Sequence, residues 1–260
     1  DTDSVTAAIT LSYLKNELGM NTVPAVLSSI NLESKFALDY FGVSEPIFLN
    51  DVNIKIKDLE YTKNYTVKEN DSIYEAYYRM NKAGISKIPA IDKDKNLLGI
   101  LSMKDIAKDQ FSFNYSYVDA TYDNICEVIN GREILRYDDD IRGDLLVASY
   151  KSTTFMEEVN LTRDNILIVG NRHSIIEYAV NSGVKLIVIV GNGQIKEEHL
   201  EIARKNRVNV ISTDYNTLDA TKIFSLCNNV VSILNTNKVL CVNENDDVND
   251  FIKLANKTRY

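Results

Sequence analysis

Three short aliphatic runs, each followed by a helical pattern, restrict the fold more than any other feature of the chain. They occupy residues 166–169, 186–190 and 208–211, and Asn209 is the one polar residue among them. A strand that is apolar at every position is buried on both faces, as in a parallel sheet between helices. Helical crossovers are also what joins successive parallel strands. The sequence therefore predicts an α/β fold.

A second informative stretch, residues 84–105, predicts a strand, a tight turn, a second strand and the start of a helix. Its apolar runs are residues 88–91 and 97–101. Ser102 then occupies an N-cap position, and Asp105 follows it by three residues. The same pair has two interpretations. It is either a simple helix cap, or a site where a helix N-terminus binds phosphate and a carboxylate binds a ribose diol.

Residues 58–108 resemble a CBS domain. The segment ISKIPAID at 85–92 matches the second strand of that family, and GILSMKD at 99–105 matches its closing motif. Paired CBS motifs bind adenine nucleotides, so the resemblance implies a nucleotide site here. Its implied binding residues are Thr66, Lys87, Ser102 and Asp105.

The chain contains an internal repeat of this first motif. The sequence TVKENDSI at 66–73 returns as CVNENDDV at 241–248, and each copy leads into a helical pattern. The repeat predicts the first half of a second CBS motif. That copy reaches Tyr260 before its own counterparts of Lys87 and Asp105. The second motif is therefore expected to be incomplete.

Two carboxylates open the chain, in the sequence DTDSV, ahead of a helical pattern that ends at Gly19. They either complement the helix dipole or bind a hard divalent ion. Residues 1–59 resemble the family II, manganese-dependent inorganic pyrophosphatases of the DHH superfamily. The resemblance implies Asp1 and Asp3 as metal ligands, with manganese, cobalt or magnesium as the metal. Thr2 favours pyrophosphatases over other DHH enzymes.

The catalytic set of that family is incomplete here. A two-metal hydrolytic site requires several converging ligands. The DHH motif and the carboxy-terminal phosphate-binding domain of the family have no match in the chain, and both histidines lack the expected context. We therefore expect no complete catalytic site, and we interpret the chain as a fragment that does not hydrolyse diphosphate by itself.

The region between the two CBS-like motifs resembles a DRTGG domain, through Gly143-Asp144 and residues 169–172 and 212–217. The resemblance implies regulation and self-association, with no catalytic residue. Gly191-x-Gly193 is interpreted as a strand-to-helix turn, because the third glycine of a dinucleotide-binding motif is absent. His199 beside two glutamates predicts a surface position. Alternating aromatic residues predict an edge strand or a connector, with members Phe111, Phe113, Tyr115 and Tyr117.

Composition restricts the function classes. The formal charge of −8 argues against a nucleic-acid or anionic-membrane partner. No apolar run approaches the roughly 20 residues that span a bilayer. The three cysteines are widely spaced, which indicates reduced thiols and a cytoplasmic location. They are Cys126, Cys227 and Cys241.

These patterns predict four segments: a partial DHH parallel sheet at 1–57, a CBS motif at 58–110, an inserted DRTGG-like α/β domain at 111–229, and a truncated CBS motif at 230–260. The predicted function is regulation of a manganese-dependent inorganic diphosphatase by AMP, ADP, ATP or a diadenosine polyphosphate. We expect a homodimer formed through the CBS and DRTGG-like regions. The alternatives are a dimerisation scaffold without a ligand and a nucleotide-regulated DHH phosphodiesterase.

Overall fold

The computed structural model describes residues 1–49, 52–63, 65–112, 116–236 and 239–258. Phe113, Tyr115 and Tyr260, which enter the predictions above, lie outside these residues. The strands are β1 (Ala25–Val26), β2 (Ile47–Phe48), β3 (Val67–Lys68), β4 (Lys87–Ile91), β5 (Leu97–Ser102), β6 (Tyr117–Thr121), β7 (Gly131–Leu135), β8 (Asp140–Val147), β9 (Asn165–Val169), β10 (Leu186–Ile189) and β11 (Asn209–Thr213). The helices are α1 (Thr2–Glu17), α2 (Leu32–Phe41), α3 (Ile73–Ala83), α4 (Met103–Gln110), α5 (Tyr122–Val128), α6 (Ser152–Glu158), α7 (His173–Ser182), α8 (Glu197–Lys205), α9 (Thr217–Phe224) and α10 (Val248–Thr258).

The chain divides into two compact units. One unit contains Asp1–Tyr61 together with Leu240–Tyr260, and the other contains Thr62–Val239. The four segments inferred from the sequence stay a prediction.

The first unit begins with two capped helices. The Asp1 side chain accepts a hydrogen bond from the Ser4 amide and starts α1, so the helix begins earlier than the apolar pattern alone predicts. Asn31 caps α2, which ends at Gly42 with φ of 65°, as predicted. Strands β1 and β2 form a short parallel pair.

The predicted repeat reappears in the geometry of the two helices that follow its copies. Helices α3 and α10 are each 11 residues long. The Lys68 amide donates to Asp71 Oδ2 at 2.9 Å, and in the second copy the Asn243 amide donates to Asp246 Oδ2 at 2.8 Å. The same turn therefore starts both helices. Helix α10 has no buried residue within the first unit.

The second unit contains a small sheet of three strands in the order β3-β4-β5. Strands β3 and β4 are parallel, and β4 and β5 are antiparallel. One face packs on α3 and α4 through a buried cluster. Its members include Val67, Ile73, Met80, Ile88, Ala90, Leu101 and Ile106. The opposite face is left more open.

The larger sheet of the second unit has six strands in the order β6-β8-β9-β10-β11-β7. Strands β8 to β11 are parallel to one another, and β9 and β10 carry buried side chains on both faces. This confirms the predicted parallel sheet between helices. The edge strand β6 runs antiparallel to its neighbour β8, and the edge strand β7 runs antiparallel to its neighbour β11. Strand β7 was not predicted, because its sequence GREIL mixes charged and apolar residues.

Two predictions along this sheet required correction or refinement. His199 was expected at the surface, and that was wrong, because the residue is only 4% exposed. Its helix, α8, packs against α7, and the two adjacent glutamates point elsewhere. The helical pattern that follows the third aliphatic run was expected to form one continuous helix, but α9 ends at Phe224 and the chain continues as a 3₁₀ turn, Ser225–Cys227.

The cysteines are free thiols, and no described helix is long and apolar enough to cross a membrane. Burial raises the pKa of Cys126 to about 11, and it raises the pKa of the fully buried Cys227 well above its usual value. Both thiols are therefore protonated near neutral pH and are poor nucleophiles.

A cluster of polar and charged side chains lies near the start of β11 in the larger sheet. The Asp138 carboxylate accepts a hydrogen bond from Asn209 at 2.8 Å and lies 3.2 Å from Lys185 and 3.1 Å from Arg163. Burial raises the Asp138 pKa, but the Asn209 hydrogen bond and the two cations outweigh it, so the pKa is lowered.

This lowered pKa predicts a pH dependence. The stabilisation by ionised Asp138 is complete above the unfolded-state pKa, about 4, and is lost as the pH falls through the lower folded-state value. We expect Asp138→Asn to be less stable than the wild type at pH 7, with the gap narrowing below about pH 4. Urea unfolding at a series of pH values measures this. A gap independent of pH would contradict it.

Candidate nucleotide site

The N-terminus of α4 forms a complete capping box. The Asp105 amide donates to Ser102 Oγ at 3.2 Å, while the Ser102 amide donates to Asp105 Oδ2 at 2.9 Å. Ser102 Oγ also donates to Asp105 Oδ2, at 2.5 Å. Asp105 Oδ1 accepts no hydrogen bond from the residues that the structure describes. One carboxylate oxygen is therefore available to a ligand.

Three of the predicted residues lie on one face of the small sheet. Lys87 is directly opposite Ser102 in the β4–β5 register, which places their Cβ atoms within about 5.5 Å of each other. Their neighbours Ile88 and Leu101 point into the core. Thr66 precedes buried Val67, so by strand alternation it belongs to the same open face. Lys87 is exposed, while Thr66 and Ser102 are partly buried.

A cavity of 390 Å³ lies beside this capping box. The segment ahead of the second repeat forms one wall, because Asn235 and Ile100 exchange backbone hydrogen bonds of 3.2 and 3.3 Å. That wall is so close that a Cβ at Gly99 would lie 2.6 Å from the Asn235 carbonyl oxygen. The cavity is lined by Asp105, Lys108, Asp109, Ser112, Ile233, Leu234 and Asn235.

Sequence reasoning found only Asp105 among these lining residues. Lys108 and Asp109 follow it by one helical turn, and the i, i+3 and i+4 spacing was the available signal. Burial raises the pKa of Asp109, opposed by a hydrogen bond from Gln110.

The predicted metal ligands lie in the first unit. Asp1 is engaged in capping α1, and both Asp1 and Asp3 are exposed. Asp1 also borders a depression of 350 Å³ that Asn31 and Ser34 help to line. No group of three or more His, Cys, Asp or Glu side chains converges among the described residues. The two carboxylates supply suitable oxygen donors for a divalent ion. A two-metal hydrolytic site needs more ligands than this pair provides.

Comparison with protein-family models matches residues 56–111 to the CBS domain and residues 124–227 to the DRTGG domain. The chain carries a CBS domain and a DRTGG domain. Both predicted resemblances are confirmed. The DRTGG match covers α5 to α9 and the larger sheet except β6, whereas the CBS match covers the small sheet with α3 and α4.

The chain is homologous to inorganic pyrophosphatases. It is 28% identical over 268 residues to the cobalt-dependent inorganic pyrophosphatase of Clostridium perfringens, covering 100% of this chain and 48% of that protein. It is 24% identical over 234 residues to the probable manganese-dependent inorganic pyrophosphatase of Thermotoga maritima, covering 87% and 42%. The chain thus spans about half the length of these relatives.

A solved structure shares the fold. It is the crystal structure of the CBS and DRTGG domains of the regulatory region of Clostridium perfringens pyrophosphatase, complexed with its activator, diadenosine tetraphosphate. The match has a TM-score of 0.70 at 23% identity and covers 80% of this chain and 92% of that one. The chain therefore has the architecture of that regulatory region.

Proposed function

We propose that this chain is the regulatory, adenine-nucleotide-binding portion of a manganese- or cobalt-dependent inorganic diphosphatase, which hydrolyses diphosphate to two phosphates. The observation that supports the proposal most is the Ser102–Asp105 capping box, with Lys87 opposite Ser102 in the strand register and Asp105 lining a cavity. The activator of the Clostridium perfringens regulatory region supports an adenine nucleotide as the ligand.

The site offers a separate group for each part of a nucleotide. The positive end of the α4 helix dipole and the Lys87 ammonium suit phosphate oxygens. Asp105 Oδ1 suits the two hydroxyl groups of a ribose, and the Thr66 hydroxyl adds a polar contact. Side chains of Ile233 and Leu234 supply the apolar wall that a purine ring requires. AMP, ADP, ATP and diadenosine polyphosphates share these features and differ in phosphate length.

The proposal extends to the whole protein. Segment 230–260 would be the first half of a second CBS motif, and segment 111–229 would be the DRTGG-like insertion between it and the first motif, 58–110. Segment 1–57 would be part of the DHH domain, where Asp1 and Asp3 bind manganese, cobalt or magnesium. We further propose a cytoplasmic homodimer. Regulation requires two states of the enzyme with different nucleotide affinities.

Isothermal titration of AMP, ADP, ATP and diadenosine tetraphosphate into the complete protein tests the proposal. We expect saturable micromolar binding, weakened at least tenfold by Asp105→Ala and by Lys87→Ala, because each loses a charged contact worth about 1.5–3 kcal/mol. Diphosphatase activity measured with and without nucleotide then shows whether binding regulates hydrolysis.

Asp219→Ala is the matched control for the lost helix cap. Asp219 occupies the same third position of α9, where its amide donates to Asn216 Oδ1 and its carboxylate accepts from Asn216 Nδ2, and it does not line the cavity beside Asp105. This variant should bind nucleotide like the wild type. Absence of binding to well-folded protein would refute the proposal and favour the scaffold without a ligand. Loss of binding in Asp219→Ala as large as in Asp105→Ala would show that the effect is only structural.

A further inference from the structure

Both histidines of the chain come together inside the DRTGG domain. The sequence contains two histidines. His173 is the first residue of α7, and His199 lies in α8. Their ring centroids are 6.0 Å apart, and the ring planes are inclined by 34°. Packing of α7 against α8 thus creates a pair that is separated in sequence.

Three of the four ring nitrogens of this pair are buried without a hydrogen-bond partner among the described residues. His199 is 4% exposed, and both of its ring nitrogens are buried without a hydrogen bond among the described residues. His173 Nδ1 is also buried without a hydrogen bond among the described residues. A neutral imidazole carries one donor and one acceptor, and burying either without a partner costs about 1–3 kcal/mol. A bound species between the rings would remove this cost.

The neighbouring charged groups do not satisfy the rings. Glu198 Oε1 is 3.9 Å from His199 Nε2, beyond hydrogen-bond distance, and it instead lies 3.2 Å from Lys196 Nζ. Glu197 pairs with Arg204 at 2.6 Å. The imidazole nitrogens are therefore the main electron-pair donors at this position, with the Glu198 carboxylate at its border.

We infer that His173 and His199 together bind one divalent transition-metal ion of the zinc class, which links α7 to α8. Two imidazoles that bind one tetrahedral zinc ion at 2.0–2.1 Å have ring centroids roughly 5 Å apart, so the two rings, now 6.0 Å apart, must approach by up to about 1 Å when the ion binds. Imidazole suits zinc, copper and nickel, whereas manganese and magnesium prefer oxygen ligands. This site therefore differs in chemistry from the proposed Asp1 and Asp3 site.

The two histidines supply half of a tetrahedral coordination sphere. Water completes it, together with Glu198 after rotation of its side chain. The bound ion would connect α7 to α8. Binding to the folded form alone stabilises the domain by mass action.

Imidazole NMR tests the inference directly, because the chain has only two histidine rings. Zinc chloride is titrated into ¹⁵N-labelled protein carrying Cys241→Ser, which removes the exposed thiol as a competing ligand. We expect the ring ¹⁵N resonances of both histidines to shift together and to saturate at one equivalent. The thermal unfolding midpoint should rise with the same saturation.

His173→Gln is the decisive variant, since its side chain is only partly buried and the fold tolerates the change. It should lose zinc binding at least tenfold and lose the rise in midpoint, while Glu197→Gln should retain both. Unchanged ring resonances at millimolar zinc would overturn the inference and leave a bridging water as the partner. Equal zinc binding by His173→Gln and the wild type would overturn it as well.

Discussion

Replacing Gly143 with alanine is expected to lower the free energy of unfolding of the DRTGG domain by about 3–5 kcal/mol. Gly143 lies in β8 with φ of 158°, a conformation that residues with a Cβ rarely adopt. A methyl group there would overlap the Asp164 carbonyl oxygen and lie 2.9 Å from the carbonyl carbon. That carbonyl also accepts a hydrogen bond of 2.7 Å from the Asp144 amide, so it cannot move away without loss.

The matched control is Gly170→Ala. No heavy atom lies within 4 Å of a Cβ built at Gly170, and its φ is outside the restricted range. We expect this variant to differ from the wild type by less than about 0.5 kcal/mol. Urea unfolding followed by circular dichroism compares the two. If both variants had similar free energies of unfolding, β8 and the turn at Asp164 would be able to move apart without loss of stability.

Asn209→Ala is the second substitution with a large expected effect, about 3 kcal/mol or more. Asn209 is fully buried at the start of β11. Its Oδ1 accepts from the amides of Tyr137 and Asp138 at 2.7 and 3.1 Å. Its Nδ2 donates to Asp138 Oδ2 at 2.8 Å and to the Lys185 carbonyl at 2.7 Å. Alanine at this position removes the four hydrogen bonds that the Asn209 side chain makes with these groups.

Asn181→Ala provides the comparison, because Asn181 is exposed and donates one bond, to the Glu177 carbonyl of its own helix. Helix propensity favours alanine there. We expect no loss of stability for Asn181→Ala in the same urea experiment. If Asn209→Ala were equally neutral, water would have to replace the amide at every partner.

The small sheet and the DRTGG sheet are joined by a short polar segment. The Asn228 carbonyl accepts from the Ile73 amide, and the Val230 amide donates to the Asp71 carbonyl, each at 2.9 Å. In the other direction, the Asn229 amide donates to the Asp119 carbonyl of β6 at 2.9 Å. The start of α3 and the edge of the larger sheet are thus hydrogen-bonded to the same residues.

Local features were predictable from the sequence because they depend on neighbours in the chain. The Ser102–Asp105 capping box, the caps of α1 and α2, the aliphatic strands and the repeated turn ahead of α3 and α10 all rest on spacings of a few residues. Hydrophobic periodicity and side-chain-to-backbone hydrogen bonds decide such features. Lys87 and Ser102 lie opposite each other because both belong to one hairpin, whose strands are joined by a short turn.

Long-range packing decided the remainder. The antiparallel edge strand β7 pairs with β11, far along the chain, and its mixed sequence carries no period that identifies it. The cavity beside Asp105 requires residues 233–235, which no local pattern connects with α4. His199 had the surroundings of a surface residue in sequence, yet packing of α8 on α7 buried it beside His173. The chain by itself determined the strands, helices and caps, while the tertiary structure decided which side chains meet, because burial and contact depend on how distant elements pack.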